Sequence, residues 1–384
     1  MSDNKKSCSG IGRAVLSYMK REAVLTISVL LGIISCIIIR PGSEITGFID
    51  WDTLLLLYAL MAVMAGYQKI GIFKLIGGKL LSKTKSTTSL ILVLVFLPFF
   101  FSMLITNDVG LITFVPFAII VLKLAGEEKL LVWVVVLQTF AANLGSMLTP
   151  MGNPQNLYLY GKADISFIDF MLIALPYTLC AGICILICCL LTKKKSLENL
   201  DMSTLSGDKA PVKDTLLYSL SFLICILSVL KIISPLAAAV ITTIILVICD
   251  IRILMDIDYA LLGTFAGFFV FIGNMQQLPE FRSFIERILT DHEVIIAILS
   301  SQIISNVPAA LLLSGFTDKL NLLIIGVNLG GLGTLIASMA SLISYKQIAR
   351  KYPDDKGKYL FSFTLTGLSL LAILLILHQA LLWL

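Results

Sequence analysis

Two short polar runs interrupt sequence that otherwise reads as hydrocarbon. Thr106-Asn107-Asp108 is one; Ser305-Asn306-Val307-Pro308 is the other. Each is followed by a second polar element: Asn143-Leu144-Gly145 with Thr149 six residues after Asn143, and Asn328-Leu329-Gly330 with Thr334 six after Asn328. The register continues to Tyr160 and Tyr345, each seventeen residues past its Asn. Amides and hydroxyls of this kind donate and accept hydrogen bonds but supply no nucleophile paired with a base. Their chemistry is to hold an anion or a stripped cation. A polar pattern used twice inside apolar sequence builds one site from two halves, as secondary transporters do.

The tips come first. Asn, Ser and Thr cap helix N-termini, and Pro308 suits the first turn of a returning arm. Exposed amide hydrogens and the helix dipole there attract an anion; the alternative is that these residues only cap a tight turn. The run from Asn143 to Pro154 cannot stay helical, because Pro150 and Pro154 remove donors and clash while Gly145 and Gly152 weaken the helix. Unwinding frees carbonyls and amides for Na⁺ or substrate. Asn328 to Thr334 breaks through glycine instead, and close packing of small residues is the competing explanation there. The candidate binding residues are therefore Thr106, Asn107, Asp108, Asn143, Gly145, Thr149, Asn153, Ser305, Asn306, Asn328, Gly330, Thr334 and Ser338. Asp108 is the one acid expected deep in the membrane, where an ionisable group points to function. It makes sense beside an anion if Na⁺ neutralises it or if it carries a proton, either of which couples ion to substrate; a plain capping carboxylate is the bland reading. A Na⁺ would sit among Thr106, Asn107, Asp108 and Asn143.

The elements that must position these residues are membrane helices. Of 384 residues, 58% are hydrophobic and only 14% charged, with a mean hydropathy of +0.97. Apolar runs near the ~20 residues that cross a bilayer recur throughout, and the pattern is not the alternation of a barrel. The cysteines other than Cys8 lie in apolar spans, and His292 and His378 lack ligand spacing, so neither disulfides nor a metal centre beyond Na⁺ is expected. No catalytic motif, cofactor loop or nucleic-acid signal appears. The first apolar run ends at Arg40-Pro41-Gly42 without a small-x-small cleavage pattern, and reads as a retained span.

Spans are expected at 22–39 and 52–67, then a basic surface stretch from Gln68 to Lys85. A hairpin over 88–124, a broken span at 130–160 and a span at 166–191 complete the first repeat, residues 1–191. A polar cytoplasmic linker covers 192–214. Residues 215–384 hold an extra helix at 215–230 and a second repeat: 235–250, 259–276, a surface piece at 280–290, hairpin arms 294–304 and 307–316, a broken span at 320–345 and a last span at 359–383. With a cytoplasmic N-terminus, 23 of the 29 Lys and Arg fall in cytoplasmic loops and 6 outside, as the positive-inside rule requires. This puts the C-terminus outside and the protein in the plasma (inner) membrane. An odd number of crossings separates matched elements, so the second half is inverted relative to the first. The second hairpin's arms are half a bilayer long and re-entrant; for the first, a fully spanning pair stays open. Arg252, Asp256 and Asp258 read as structural charges of a cytoplasmic turn.

The two polar tips, the segment Asn143 to Asn156 and the segment Asn328 to Thr334 together resemble the ion transporter superfamily, which includes divalent-anion/sodium symporters, citrate transporters, arsenite permeases and a sodium/proton antiporter family. The resemblance covers nearly the whole chain. It implies an all-α homodimer whose hairpins and broken helices carry substrate in an elevator-like motion. In the dicarboxylate symporters both tips read Ser-Asn-Thr and contact a substrate carboxylate. Here the first tip is Thr-Asn-Asp and the second has Val307 in place of Thr, forms that look closer to the arsenite and general anion permeases. The expected function is Na⁺- or H⁺-coupled transport of a small anion, a carboxylate such as citrate or an arsenite-like oxyanion. A Na⁺/H⁺ antiporter using Asp108 is the alternative, and a channel a more distant one.

Overall fold

The computed structural model describes residues 19, 22–40, 43–197 and 210–383, and among them the fold is helical with one isolated bridge between Ser86 and Ser196. Cys8, the basic residues ahead of the first span and linker positions 198–209 lie outside the described residues. Helices α1 (Ala23–Ile39) and α2 (Trp51–Lys69) open the chain, and α3 (Ile72–Leu81) turns away from α2 by 56°. The first hairpin is α4 (Thr87–Phe101) and α5 (Asn107–Leu124). The first broken span is α6 (Leu131–Ser146) and α7 (Pro154–Ala163), closed by α8 (Phe167–Leu190). After α9 (Val212–Val229) the same order recurs: α10 (Pro235–Asp250), α11 (Tyr259–Met275), and α12 (Pro279–Leu289) bent by 106°. Then come the hairpin α13 (Glu293–Ile304) and α14 (Asn306–Leu313), the broken span α15 (Leu320–Gly330) and α16 (Met339–Lys351), and α17 (Lys356–Leu382).

Six of these helices are long and apolar enough to cross a membrane, or up to eight if each bent pair is one span. The second hairpin's arms of 12 and 8 residues reach only about 18 and 12 Å at 1.5 Å per residue, too short to cross roughly 30 Å of hydrocarbon. In the first hairpin α5 has 18 residues and is itself long enough to cross.

The helices pack as two groups. In one, α11 lies along α1 and α10 along α2; Asn274 Nδ2 donates to Ser35 Oγ (2.9 Å) across the first of these contacts. In the other, each hairpin packs on the first arm of its broken span, α4 on α6 and α13 on α15. All of α6 except Trp133 is buried. Its Gln138 donates to the Leu94 carbonyl (2.8 Å) and the Phe114 carbonyl (3.4 Å), tying α6 to both arms of the first hairpin. Gln302 of α13 does the same in the second half, donating to the carbonyls of Gly330 and Leu332, both at 2.8 Å. Buried polar groups without such partners are costly, so these glutamines hold hairpin to broken span in one register.

Candidate substrate and ion site

The chain breaks where its prolines and glycines require. After Ser146 it leaves the helix, makes one 3₁₀ turn at Pro150–Gly152 and restarts at Pro154 with Asn153 as N-cap, whose Oδ1 accepts from the Asn156 amide (2.9 Å). After Gly330 it makes a 3₁₀ turn at Leu335–Ala337 and restarts behind Ser338. The hairpin tips restart directly at Asn107 and Asn306. Four helix N-termini, those of α5, α7, α14 and α16, thus begin at residues marked out by their polarity. Thr106, Ser305 and Ser338, the N-caps of α5, α14 and α16, make no side-chain capping bond; the first amides of α14 and α16 are left without a side-chain acceptor, whereas in α5 the Asp108 amide is taken by Asn107 Oδ1.

These residues meet in one buried cluster. Asn143 Oδ1 accepts from Asn107 Nδ2 (2.9 Å) and from Ser338 Oγ (3.2 Å), and Asn143 Nδ2 donates to Ser341 Oγ (3.4 Å). Asn328 Oδ1 accepts from Asn153 Nδ2 (3.1 Å), and Asn328 Nδ2 donates to Asn156 Oδ1 (2.6 Å). The pattern is a crossing: the Asn ending the first arm of one broken span grips the restart of the other. Asn153 and Asn156 are 185 residues before Ser338 and Ser341, the separation of Asn143 from Asn328. Asn306 joins at the edge, its Nδ2 lying 3.3 Å from the point where a Cβ on Gly331 would stand, with Ser338 Cβ 3.8 Å from the same point. Asn107, Asn143, Asn153, Asn156, Asn306, Asn328 and Ser338 are all at least 95% buried.

The other candidates divide. Thr149 hydroxyl donates to the Met103 carbonyl, holding the first break against the first tip. Thr334 is exposed; its backbone amide donates to Gln302 Oε1 (2.9 Å) and its carbonyl accepts from the Ala337 amide (3.3 Å). Gly145 and Gly330 are points of close approach: a Cβ on the first collides with the Phe99 carbonyl and on the second with the Ser301 side chain. Ser305 hydroxyl reaches toward Asn306 Oδ1 (3.4 Å), and Ser305 itself has φ 74° and ψ 156°, a region natural to glycine and held here by its surroundings.

Asp108 stands at the edge of the cluster. Its amide donates to Asn107 Oδ1 (3.0 Å), and its carboxylate has no hydrogen bond or ion pair among the described residues. It lines a cavity of about 130 Å³ between α2 and α5, with Thr106, Gln68 and Asn153. Asp256 and Asp258 line the same cavity. Beside their place in the turn, they bring the count of acidic residues lining the cavity to three, with no Lys, Arg or His among its lining residues. Asp258 is also the N-cap of α11, accepting from the Leu261 amide (3.0 Å). Asn156, Ser341, Gln138 and Gln302 were also missed in the sequence. The first two carried a signal, each lying three residues after the N-cap of a restarted helix.

Residues 14–321 match the citrate transporter family. The chain belongs to that family. It is 32% identical to an uncharacterized transporter of Methanocaldococcus jannaschii over 323 residues, 84% of this chain and 87% of the relative. It is 30% identical to an inner membrane protein of Escherichia coli over 306 residues, 78% and 80% of the two chains. A silicon efflux transporter of Oryza sativa is 34% identical over 155 residues, 39% of this chain and 31% of its own. The transporter is thus an integral membrane protein of an anion-transporting family, and the matched region covers the first half, both hairpins and the start of α15.

Proposed function

We propose that the chain is a secondary active transporter that moves a small anion, with the substrate held at the crossed Asn and Ser cluster and the coupling cation at Asp108. The observation that carries the reading is the convergence of helix N-termini on a buried polar cluster, two of them, those of α14 and α16, without side-chain caps. Amide hydrogens and the positive helix ends favour negative charge, and non-helical backbone at membrane depth is tolerated where it is buried in protein or lines a watery cavity. The substrate class is a small carboxylate such as citrate, in line with the family, or an arsenite-like oxyanion. Asp108, Thr106, Asn107 and Asn143 would hold Na⁺, or Asp108 a proton. We place the N-terminus in the cytoplasm and the C-terminus outside, with two inverted repeats, an elevator-like movement and a homodimer in the plasma membrane. The 185-residue offset shared by the crossing bonds supports the repeat.

The three carboxylates around the cavity favour one further reading, a Na⁺/H⁺ antiporter in which Asp108 exchanges the two cations. A single assay separates them: uptake into proteoliposomes across a panel of carboxylates and oxyanions, with Na⁺ and pH gradients imposed separately. Accumulation of an anion under one gradient is the expected result. Exchange of Na⁺ for protons with no anion moving would replace the leading reading by the antiporter.

A further inference from the structure

Two glutamines at matched ends of α2 and α11 each reach a hairpin, but at different heights. Asp50 caps α2 through the Thr53 amide (2.9 Å) and Asp258 caps α11 through the Leu261 amide (3.0 Å). Those caps are 208 residues apart, and the same separation carries Gln68 near the end of α2 onto Gln276 just past α11. Gln276 Nε2 donates to the Gly315 carbonyl, nine residues past the tip residue Asn306. Gln68 Nε2 lies 3.5 Å from the Val109 carbonyl, two residues past Asn107, and 3.4 Å from Thr113 Oγ1. The first contact is close: a Cβ on Gly315 would stand 2.8 Å from Ile272 Cγ2 and 2.9 Å from Gln276 Nε2. The second is at the limit of a hydrogen bond.

The packing beside each glutamine differs in the same sense. Between α2 and the first hairpin lies the cavity, walled by Leu57, Leu60 and Met61. At the matching positions of α11 stand Phe265, Phe268 and Phe269, all buried, with α14 packed along that helix. Tyr158 fills the seam, its ring 5.5 Å from that of Phe269 and its hydroxyl 2.8 Å from Ser314 Oγ. One hairpin is docked and the other stands off.

We propose that Gln68 and Gln276 are alternating latches that set which face of the membrane the site opens to. In this conformation Gln276 is closed on Gly315 and the site communicates with the face bearing the 251–258 turn. In the opposite conformation Gln276 releases Gly315 and meets the second hairpin at the level of Pro308, while Gln68 closes on the Pro116 carbonyl, nine residues past Asn107. The seven-residue difference between the two contacts corresponds to a slide of about 10 Å at 1.5 Å per residue. Gln68 and Gln276 are positioning residues, with no contact to substrate, and the inference rests on the transport reading for its purpose.

The test reads conformation rather than uptake. Val307 is buried at the second tip, and Val307→Cys reports its exposure to a membrane-impermeant maleimide added from the face opposite the 251–258 turn, against the background of the parent chain's own thiols. Gln276→Ala is expected to raise the modification rate about fivefold, the effect of losing one net hydrogen bond. Gly315→Ala breaks the same contact by a different route and should act in the same direction, so either variant suffices. Gln68→Ala should slow the reaction, because it weakens the opposite conformation. An unchanged rate on opening the Gln276 contact overturns the proposal, and so does acceleration by all three variants, which is general loosening. Labelling that follows the latch without uptake of any anion refutes the transport reading alone; uptake with labelling that ignores the latch refutes the latch alone.

Discussion

Replacing Asn328 should destabilise the protein by more than the loss of its own bonds. Asn156 Nδ2 faces three backbone carbonyls, those of Ser146, Met147 and Thr149, at 3.3 to 3.4 Å. Its orientation is thereby fixed, and Oδ1 must point at Asn328 Nδ2, 2.6 Å away. Asn328→Ala removes that bond and the one from Asn153 Nδ2. Interhelical hydrogen bonds in membranes contribute about 0.6 kcal/mol each, with ~1.7 as the upper end. The orphaned Asn156 Oδ1 adds about 1–3 kcal/mol, whereas Asn153 Nδ2 keeps Ser146 Oγ. The total is about 2–4 kcal/mol, a fall in melting temperature on the order of 2–5 °C for a chain of this length. Asn328→Asp should be worse, since it sets oxygen against oxygen. The assay is thermal unfolding of the purified protein in detergent, at one scan rate because membrane proteins unfold irreversibly. Adding Asn156→Ala to Asn328→Ala should cost less than the sum, because the orphaned acceptor goes with it. Strict additivity, or an Asn328→Ala protein that melts with the parent, would refute the crossing geometry.

Asp108→Asn should abolish or uncouple ion-driven transport while leaving insertion and melting close to the parent, since no side-chain bond of the carboxylate is lost; ordinary coupled uptake by this variant removes Asp108 from the mechanism. Gly145→Ala should sharply lower the yield of folded protein, because its Cβ would collide with the Phe99 backbone and overpacking of this kind costs about 1–3 kcal/mol or more; size-exclusion recovery measures it. Ser305→Gly should hold or raise the melting temperature, since a non-glycine residue at φ 74° stores about 1–3 kcal/mol of strain, whereas Ser305→Val should lower it.

The order of helices was legible in the sequence because apolar run length and proline placement fix where a chain can cross and where it must break. The tips were legible because Thr106-Asn107-Asp108 and Ser305-Asn306 are short polar runs between apolar arms. What stayed hidden was partnership across long separations. Asp256 and Asp258 follow an apolar span and look like any interfacial charge; only packing of α11 beside α2 turns them toward Asp108. Gly145 and Gly330 look alike whether they free backbone for a ligand or admit a neighbouring helix, and the choice depends on the position of Phe99 and Ser301. Thr334 repeats Thr149 in sequence but is exposed, because its break is held by Gln302 rather than by its own hydroxyl.

The crossed Asn pairs carry a consequence for how the protein is made. Asn156 emerges from the ribosome 172 residues before Asn328, which at 5–20 residues per second is a delay of about 10–30 s. Throughout that interval the early half sits in lipid with Asn156 Oδ1 and Asn143 Nδ2 lacking their partners Asn328 and Ser341. It must either hold water there or be sheltered by the insertion machinery, and its maturation waits for the late half to arrive.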